Sequence, residues 1–244
     1  MIPSTIAAAD ELWHGIRREA EKIVADDPVF GASMAAAILD HPDLAGAVSH
    51  QIGERLGKSP ADRQRLARIA REAFAGSPPL VEAATRDLQG IAVHDPATSG
   101  FLPPLLNFKG YVALQAWRVS NWLWREGRTD LALLLQSLSS DQLQVSIHPS
   151  ASIGISVFLD HATGIIIGAF AVIGDEVTIL QHVPSDGTHH VRTGLRGSAE
   201  AFCSARGQRL SAMSASATSP KLARARWSST MYPAGALRSA CPPG

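Results

Sequence analysis

Apolar residues recur at intervals of three and four along the first 140 residues, and at intervals of six from Ile147 onward. In the first regime, Leu12, Trp13, Ile16, Ala20 and Ile23 form one stripe, the pattern of a helix with a single buried face. Helix starts are marked. Ser59-Pro60-Ala61-Asp62 offers an N-cap, a proline in the first turn and an early acid, and Ser77-Pro78-Pro79 repeats the device. Asp95-Pro96 and Pro103-Pro104 read as breaks that turn the pattern into loops. The stretch from Leu105 to Arg125 is dense in apolar residues, and its Trp117, Trp122 and Trp124 are expected in the core.

The second regime has a different cause. Ile147, Ile153, Leu159, Ile165, Ala171, Val177 and Val183 stand six apart, with glycines nearby at 154, 168 and 174. No helix has that period, and an isolated strand would show a period of two. A six-residue aliphatic repeat is the signature of a hexapeptide parallel β-helix, in which each hexad forms one side of a triangular coil. Three hexads would close a coil, so the chain supplies about two coils. Beyond Val183 the repeat stops: positions 189, 195, 201, 207, 213 and 219 hold His, Leu, Ala, Gly, Met and Ser. The expected fold class is α+β, with an all-α domain over residues 1–140, a short β-helix over 141–183, and a disordered tail over 184–244.

Composition narrows the function. Of the 244 residues, 45% are apolar, enough for a real core, and the formal net charge is zero. Residues 1–181 hold 14 Lys/Arg against 20 Asp/Glu, and the remainder hold 8 against 2. An acidic body argues against nucleic acid as the main partner. The two cysteines, Cys203 and Cys241, fit neither a disulfide framework nor a metal spacing, so a cytoplasmic location is expected. Met1 to Trp13 lacks the basic start of a signal peptide, and the longest apolar stretch, Gly164 to Gly174, is too short to span a bilayer.

Three segments are specific enough to suggest a family. The run from Pro104 to Trp124, Pro-Leu-Leu-Asn-Phe-Lys-Gly-Tyr-Val-Ala-Leu-Gln-Ala-Trp-Arg-Val-Ser-Asn-Trp-Leu-Trp, resembles the last long helices of the serine acetyltransferase helical domain. Ile147-His-Pro-Ser-Ala-Ser-Ile-Gly154 is similar to the start of that family's β-helix, and Phe158-Leu-Asp-His-Ala-Thr-Gly164 to its active-site hexads. The resemblance covers roughly residues 5–181. It implies a left-handed β-helix and acetyl transfer from acetyl-CoA to L-serine, giving O-acetylserine for cysteine biosynthesis. It also implies acetyl-CoA as co-substrate with no permanently bound cofactor, and trimers that pair through the helical domain. Active sites would lie between neighbours, with cysteine synthase as a partner, and neither nucleic acid nor membrane is implied.

The resemblance also assigns roles. A serine hydroxyl needs a general base, and His161 matches the family's base, a residue type whose ordinary pKa suits the task. Asp160 and Asp95 match two substrate-binding aspartates, suited to receive an ammonium and a hydroxyl. His148 is expected to be structural, and no metal site is expected. The chain departs from the family in three places. Ser146 stands where the family has the aspartate that orients the base. Gly168-Ala169-Phe170 replaces the usual Gly-Glu-Thr. The family's later loops and coils are missing after Gln181.

A change of reading frame is the expected origin of the tail. Trp227 is encoded TGG, so a TC-type codon for Ser228 gives the shifted triplet GTC, valine. Met231 followed by Tyr232 gives GTA, again valine. With permitted third bases, Leu210 to Pro233 then reads Val-Ile-Gly-Asn-Val-Arg, Val-Gly-His-Val-Ala-Lys, Val-Gly-Ala-Gly-Ser-Val, Val-Leu-Asp-Asp-Val-Pro, with aliphatics again six apart. Two other functions stay open at this point: a non-catalytic remnant that still self-associates through its helices, and a hexapeptide acyltransferase for another acceptor.

Overall fold

The computed structural model describes residues 5–95, 97–180 and 191–193. Most of the tail expected to be disordered lies outside them, as does Val183, the last position of the expected β-helix.

The chain begins with α1 (Thr5–Asp26) and a short irregular helical turn that includes α2 (Gly31–Met34). It continues through α3 (Leu44–Leu56), α4 (Pro60–Gly76), α5 (Pro78–His94), α6 (Leu102–Asn107), α7 (Lys109–Arg125) and α8 (Thr129–Leu143). The α1 stripe is buried at Leu12, Trp13, Ile16 and Ala20, but it ends there, since Ile23 is 36% exposed. Ser59 caps α4 by accepting from the Asp62 N–H at 3.2 Å. Ser77 occupies the same position before α5, yet its hydroxyl makes no capping bond. Pro103-Pro104 is not a loop, because it forms the first turn of α6, where a missing N–H costs nothing. Trp117 is buried, while Trp122 and Trp124 are half-buried against the core.

Helix α7 is buried from Gly110 to Ser120 because it carries both the other helices and the β-helix. The first coil begins with an edge whose backbone groups need partners, and α5 and α7 supply them. Trp117 Nε1 donates to the His148 carbonyl at 3.1 Å, Asn121 Nδ2 to Pro149 at 2.7 Å, and Arg118 to Gly154 at 2.8 Å. Asp87 of α5 accepts from the Val157 N–H at 3.1 Å, from Gln115 Nε2 at 2.9 Å, and from Arg118 through both carboxylate oxygens. Burial pushes the Asp87 carboxyl above its ordinary pKa, and the Arg118 charge acts in the opposite direction. Asp87 is fully buried and Arg118 nearly so. Asp87→Asn leaves that guanidinium without a counter-charge and is expected to cost about 3–5 kcal/mol in urea unfolding. A loss below about 1 kcal/mol, within the range of ordinary surface changes, would show that the pair does not hold the junction.

Among the described residues, six strands form the coils: β1 (Val145–Ile147), β2 (Ser152–Ile153), β3 (Phe158–Asp160), β4 (Ile165–Ile167), β5 (Val172–Ile173) and β6 (Val177–Leu180). They pair in parallel as β1 with β4, β2 with β5 and β3 with β6. The register is Ile147 on Ile167, Ile153 on Ile173 and Leu159 on Ile179, so one coil takes twenty residues and not the eighteen of three plain hexads. Core-facing residues come in pairs two apart: 145 and 147, 151 and 153, 157 and 159, then 165 and 167, 171 and 173, 177 and 179. Three residues separate successive pairs at every corner except one, where five, Asp160 to Gly164, lie between Leu159 and Ile165. Two extra residues move the series from one member of a pair to the other. The spacing of six therefore runs unbroken across the insertion and hides it.

A further strand, β7 (Val191–Thr193), lies antiparallel on β6, with Ile179 opposite Val191 and Val177 opposite Thr193. This strand covers the edge of the last coil along β6, which the end of the repeat after Val183 would otherwise leave open. Among the described residues, the corresponding edges of β4 and β5 have no partner.

Candidate active site

The five-residue corner carries the residues of interest. Its path requires left-handed backbone at three positions: His161 (φ 54°), Ala162 (φ 60°) and Gly164 (φ 78°). Only Gly164 takes that conformation without strain, and the two others cost of the order of 1 kcal/mol each. The surroundings hold them there. Ala162 is fully buried beneath the corner, and its N–H is bonded to the Asp160 carbonyl. The Gly164 N–H donates to the Gln144 carbonyl at 2.9 Å, tying the corner to the residue between α8 and β1. The result lifts the His161 side chain into solvent, 73% exposed.

Asp160 sits beside it at the end of β3. Its Oδ1 lies 3.7 Å from His161 Nε2, within reach of an ion pair but longer than a hydrogen bond. Asp95 lies at the C-terminal end of α5, where its carboxylate accepts from the Ala97 N–H at 2.9 Å and from Thr98 Oγ1 at 2.6 Å. That turn fixes the carboxylate at the start of the following loop. Within one chain's described residues, no hydrogen bond or ion pair joins Asp95 to Asp160 or His161. Ser146 is close to the corner in the chain path, two residues beyond the Gln144 carbonyl that Gly164 meets. Its hydroxyl accepts from Gln136 Nε2 at 3.2 Å, and no bond to His161 is present. The imidazole thus has one carboxylate nearby, that of Asp160, and no partner from position 146. His148 is otherwise occupied: its ring packs edge-on against Trp124 at 5.3 Å and bonds to Ser150. Among the described residues, no group of three or more His, Cys, Asp or Glu is gathered as a metal site, and no helix is long and apolar enough to cross a membrane.

The motif reading did not single out Lys109, the first residue of α7, whose ammonium donates to Thr163 Oγ1 in the corner. A cation opening a helix that lacks a side-chain N-cap runs against the local electrostatics.

The sequence model of the family described as "Serine acetyltransferase, N-terminal" matches residues 12–116. The serine acetyltransferase of Salmonella typhimurium is 39% identical over 177 residues, covering 72% of this chain and 65% of that protein. The chain therefore spans just under two thirds of the length of this curated relative. The crystal structure of serine acetyltransferase from Brucella abortus in complex with coenzyme A superposes with a TM-score of 0.69 at 40% identity, covering 75% of this chain and 76% of that one. The soybean enzyme complexed with serine gives 0.68 at 34% identity, covering 75% and 78%. The fold is α+β, a helical region followed by a left-handed parallel β-helix, and the chain belongs to the serine acetyltransferase family.

Proposed function

We propose that this site is built for transfer of acetyl from acetyl-CoA to the hydroxyl of L-serine, with His161 as general base. The observation that carries the reading is the corner itself. Two extra residues and two strained, non-glycine positions place an exposed imidazole beside a carboxylate, a costly conformation in a family whose solved members bind coenzyme A and serine. In the reaction, the serine Oγ attacks the thioester carbonyl while His161 takes its proton. The tetrahedral intermediate then collapses, the thiolate of CoA leaves, and the proton passes to its sulfur. Asp160, and Asp95 from its turn at the end of α5, receive the ammonium of the substrate. Domain limits at 1–140, 141–183 and 184–244 remain part of this proposal, as do a trimer with sites between neighbours and an association with cysteine synthase.

Two features hold the chain as written to a low turnover. Ser146 offers no carboxylate to the imidazolium that forms during attack. The sequence after Val183 carries no hexads to extend the coils against which acetyl-CoA would lie. The same features favour a second reading, a remnant that keeps only helical self-association.

The test is release of CoA thiol from acetyl-CoA with L-serine, D-serine, L-threonine and glycerol as acceptors. L-serine is expected to be preferred, and preference for another acceptor would replace the assignment. Asp160→Asn and Asp95→Asn are each expected to raise the KM for L-serine about 10- to 100-fold, the worth of one charge-assisted hydrogen bond. Unchanged KM values would remove the two aspartates from the substrate site.

A further inference from the structure

Three consecutive residues at the start of α7 grip the segment that carries the base. Phe108 stacks on Phe158 with ring centroids 6.3 Å apart. Lys109 Nζ donates to Thr163 Oγ1, a contact between residues 54 apart in the chain. Gly110 approaches so closely that a Cβ there would lie 2.0 Å from the Leu159 carbonyl oxygen. The first and last of these contacts hold strand β3. The middle one alone reaches past it into the corner, on the far side of His161.

From this geometry we propose that Lys109 is a positioning residue for His161, an inference that rests on the acetyltransferase reading of the corner. The corner has left-handed backbone on both sides of its buried Ala162, so it can relax by letting His161 and Thr163 swing outward. Three polar ties oppose this: the Gly164 N–H on Gln144 and the Ile165 N–H on the Ala162 carbonyl, both backbone, and Lys109 on Thr163, which is side chain. Position 146 supplies no carboxylate to fix the ring. Aim of the imidazole therefore depends on the backbone beneath it, and Lys109 is the side chain that holds that backbone. The contact also explains why a lysine opens an uncapped helix: its ammonium serves the corner and not the helix end.

The experiment uses the full chain. Lys109→Met, Lys109→Arg, Thr163→Val and the double variant Lys109→Met/Thr163→Val are compared by amide hydrogen exchange and by ring proton–carbon NMR. The His161 signal among the nine histidines is identified by its loss in His161→Gln. Lys109→Met and Thr163→Val are each expected to speed exchange at Gly164 about five- to tenfold, the loss of roughly one hydrogen bond. Both are expected to shift the His161 ring signal and leave exchange in the middle of α7 unchanged. The double variant is expected to match either single one, and Lys109→Arg to restore the wild-type pattern. In serine turnover, Lys109→Met is expected to lower kcat about tenfold with KM for L-serine unchanged. Unchanged exchange at Gly164 together with an unchanged His161 signal overturns the proposal, as does faster exchange spread evenly over α7. If the exchange and ring effects appear but L-serine is acetylated neither by this chain nor by its frame-restored Ser146→Asp form, the positioning stands and the acetyltransferase reading falls.

Discussion

Restoring the reading frame downstream of residue 183 is expected to give the protein measurable affinity for acetyl-CoA, tightened at least about tenfold over the chain as written, or about 1.4 kcal/mol. A β-helix binds a long ligand along stacked coils. The described chain has one complete coil and most of a second, with β7 lying antiparallel on the outer edge of β6. That edge is where a third coil would stack, so β7 and a further coil exclude each other. The shifted frame brings back aliphatics at six-residue spacing, which would extend the parallel coils in place of β7. Isothermal titration of both proteins with acetyl-CoA measures the difference. Equal affinities would show that the missing coils do not carry the acyl donor. The nucleotide sequence around codons 181–187 tests the frame directly, since an inserted or deleted base should lie there.

Ser146→Asp, made in the frame-restored protein, is expected to raise kcat for serine acetylation by about 10²-fold or more while changing KM little. In the Ser-His-Asp proteases, neutralising the aspartate that orients the base costs about 10⁴-fold, which sets an upper scale. The structure shows why serine is a poor substitute. Its hydroxyl is turned to Gln136, and it cannot offset a charge on the imidazole. The gain should sit in kcat because a carboxylate at 146 acts when the imidazolium forms and not when serine binds. A Ser146→Asp protein with the kcat of its parent would mean that Asp160, 3.7 Å from the ring, already supplies the charge.

What the sequence disclosed follows the range of the interactions involved. Ser59 capped α4 because a cap is a contact across three residues. Ser77 shares only the Ser-Pro start: Pro79 has no N–H to offer, no acid follows in the first turn, and no capping bond forms. Pro103-Pro104 misled because proline signals a break and a first helical turn equally well, and only packing decides between them. The six-residue repeat announced the β-helix but concealed the corner: inward positions lie two apart, so a two-residue insertion leaves the spacing intact. His161, Asp160 and Asp95 are singled out only by resemblance to a family, since each has an ordinary neighbourhood by composition, and their roles belong to the proposed function. Lys109 and the Asp87–Arg118 pair were not legible, because their partners lie tens of residues away and the sequence shows only a lysine, an aspartate and an arginine.

The most direct measurement is the L-serine-dependent release of CoA thiol by the frame-restored Ser146→Asp protein, with and without His161→Ala. The expected result is steady turnover of L-serine that falls by about 10²- to 10⁴-fold when the imidazole is removed, the range of general-base catalysis. Turnover that survives His161→Ala undiminished, or no L-serine-dependent release from the restored protein, would contradict a base-catalysed acetyl transfer at this corner.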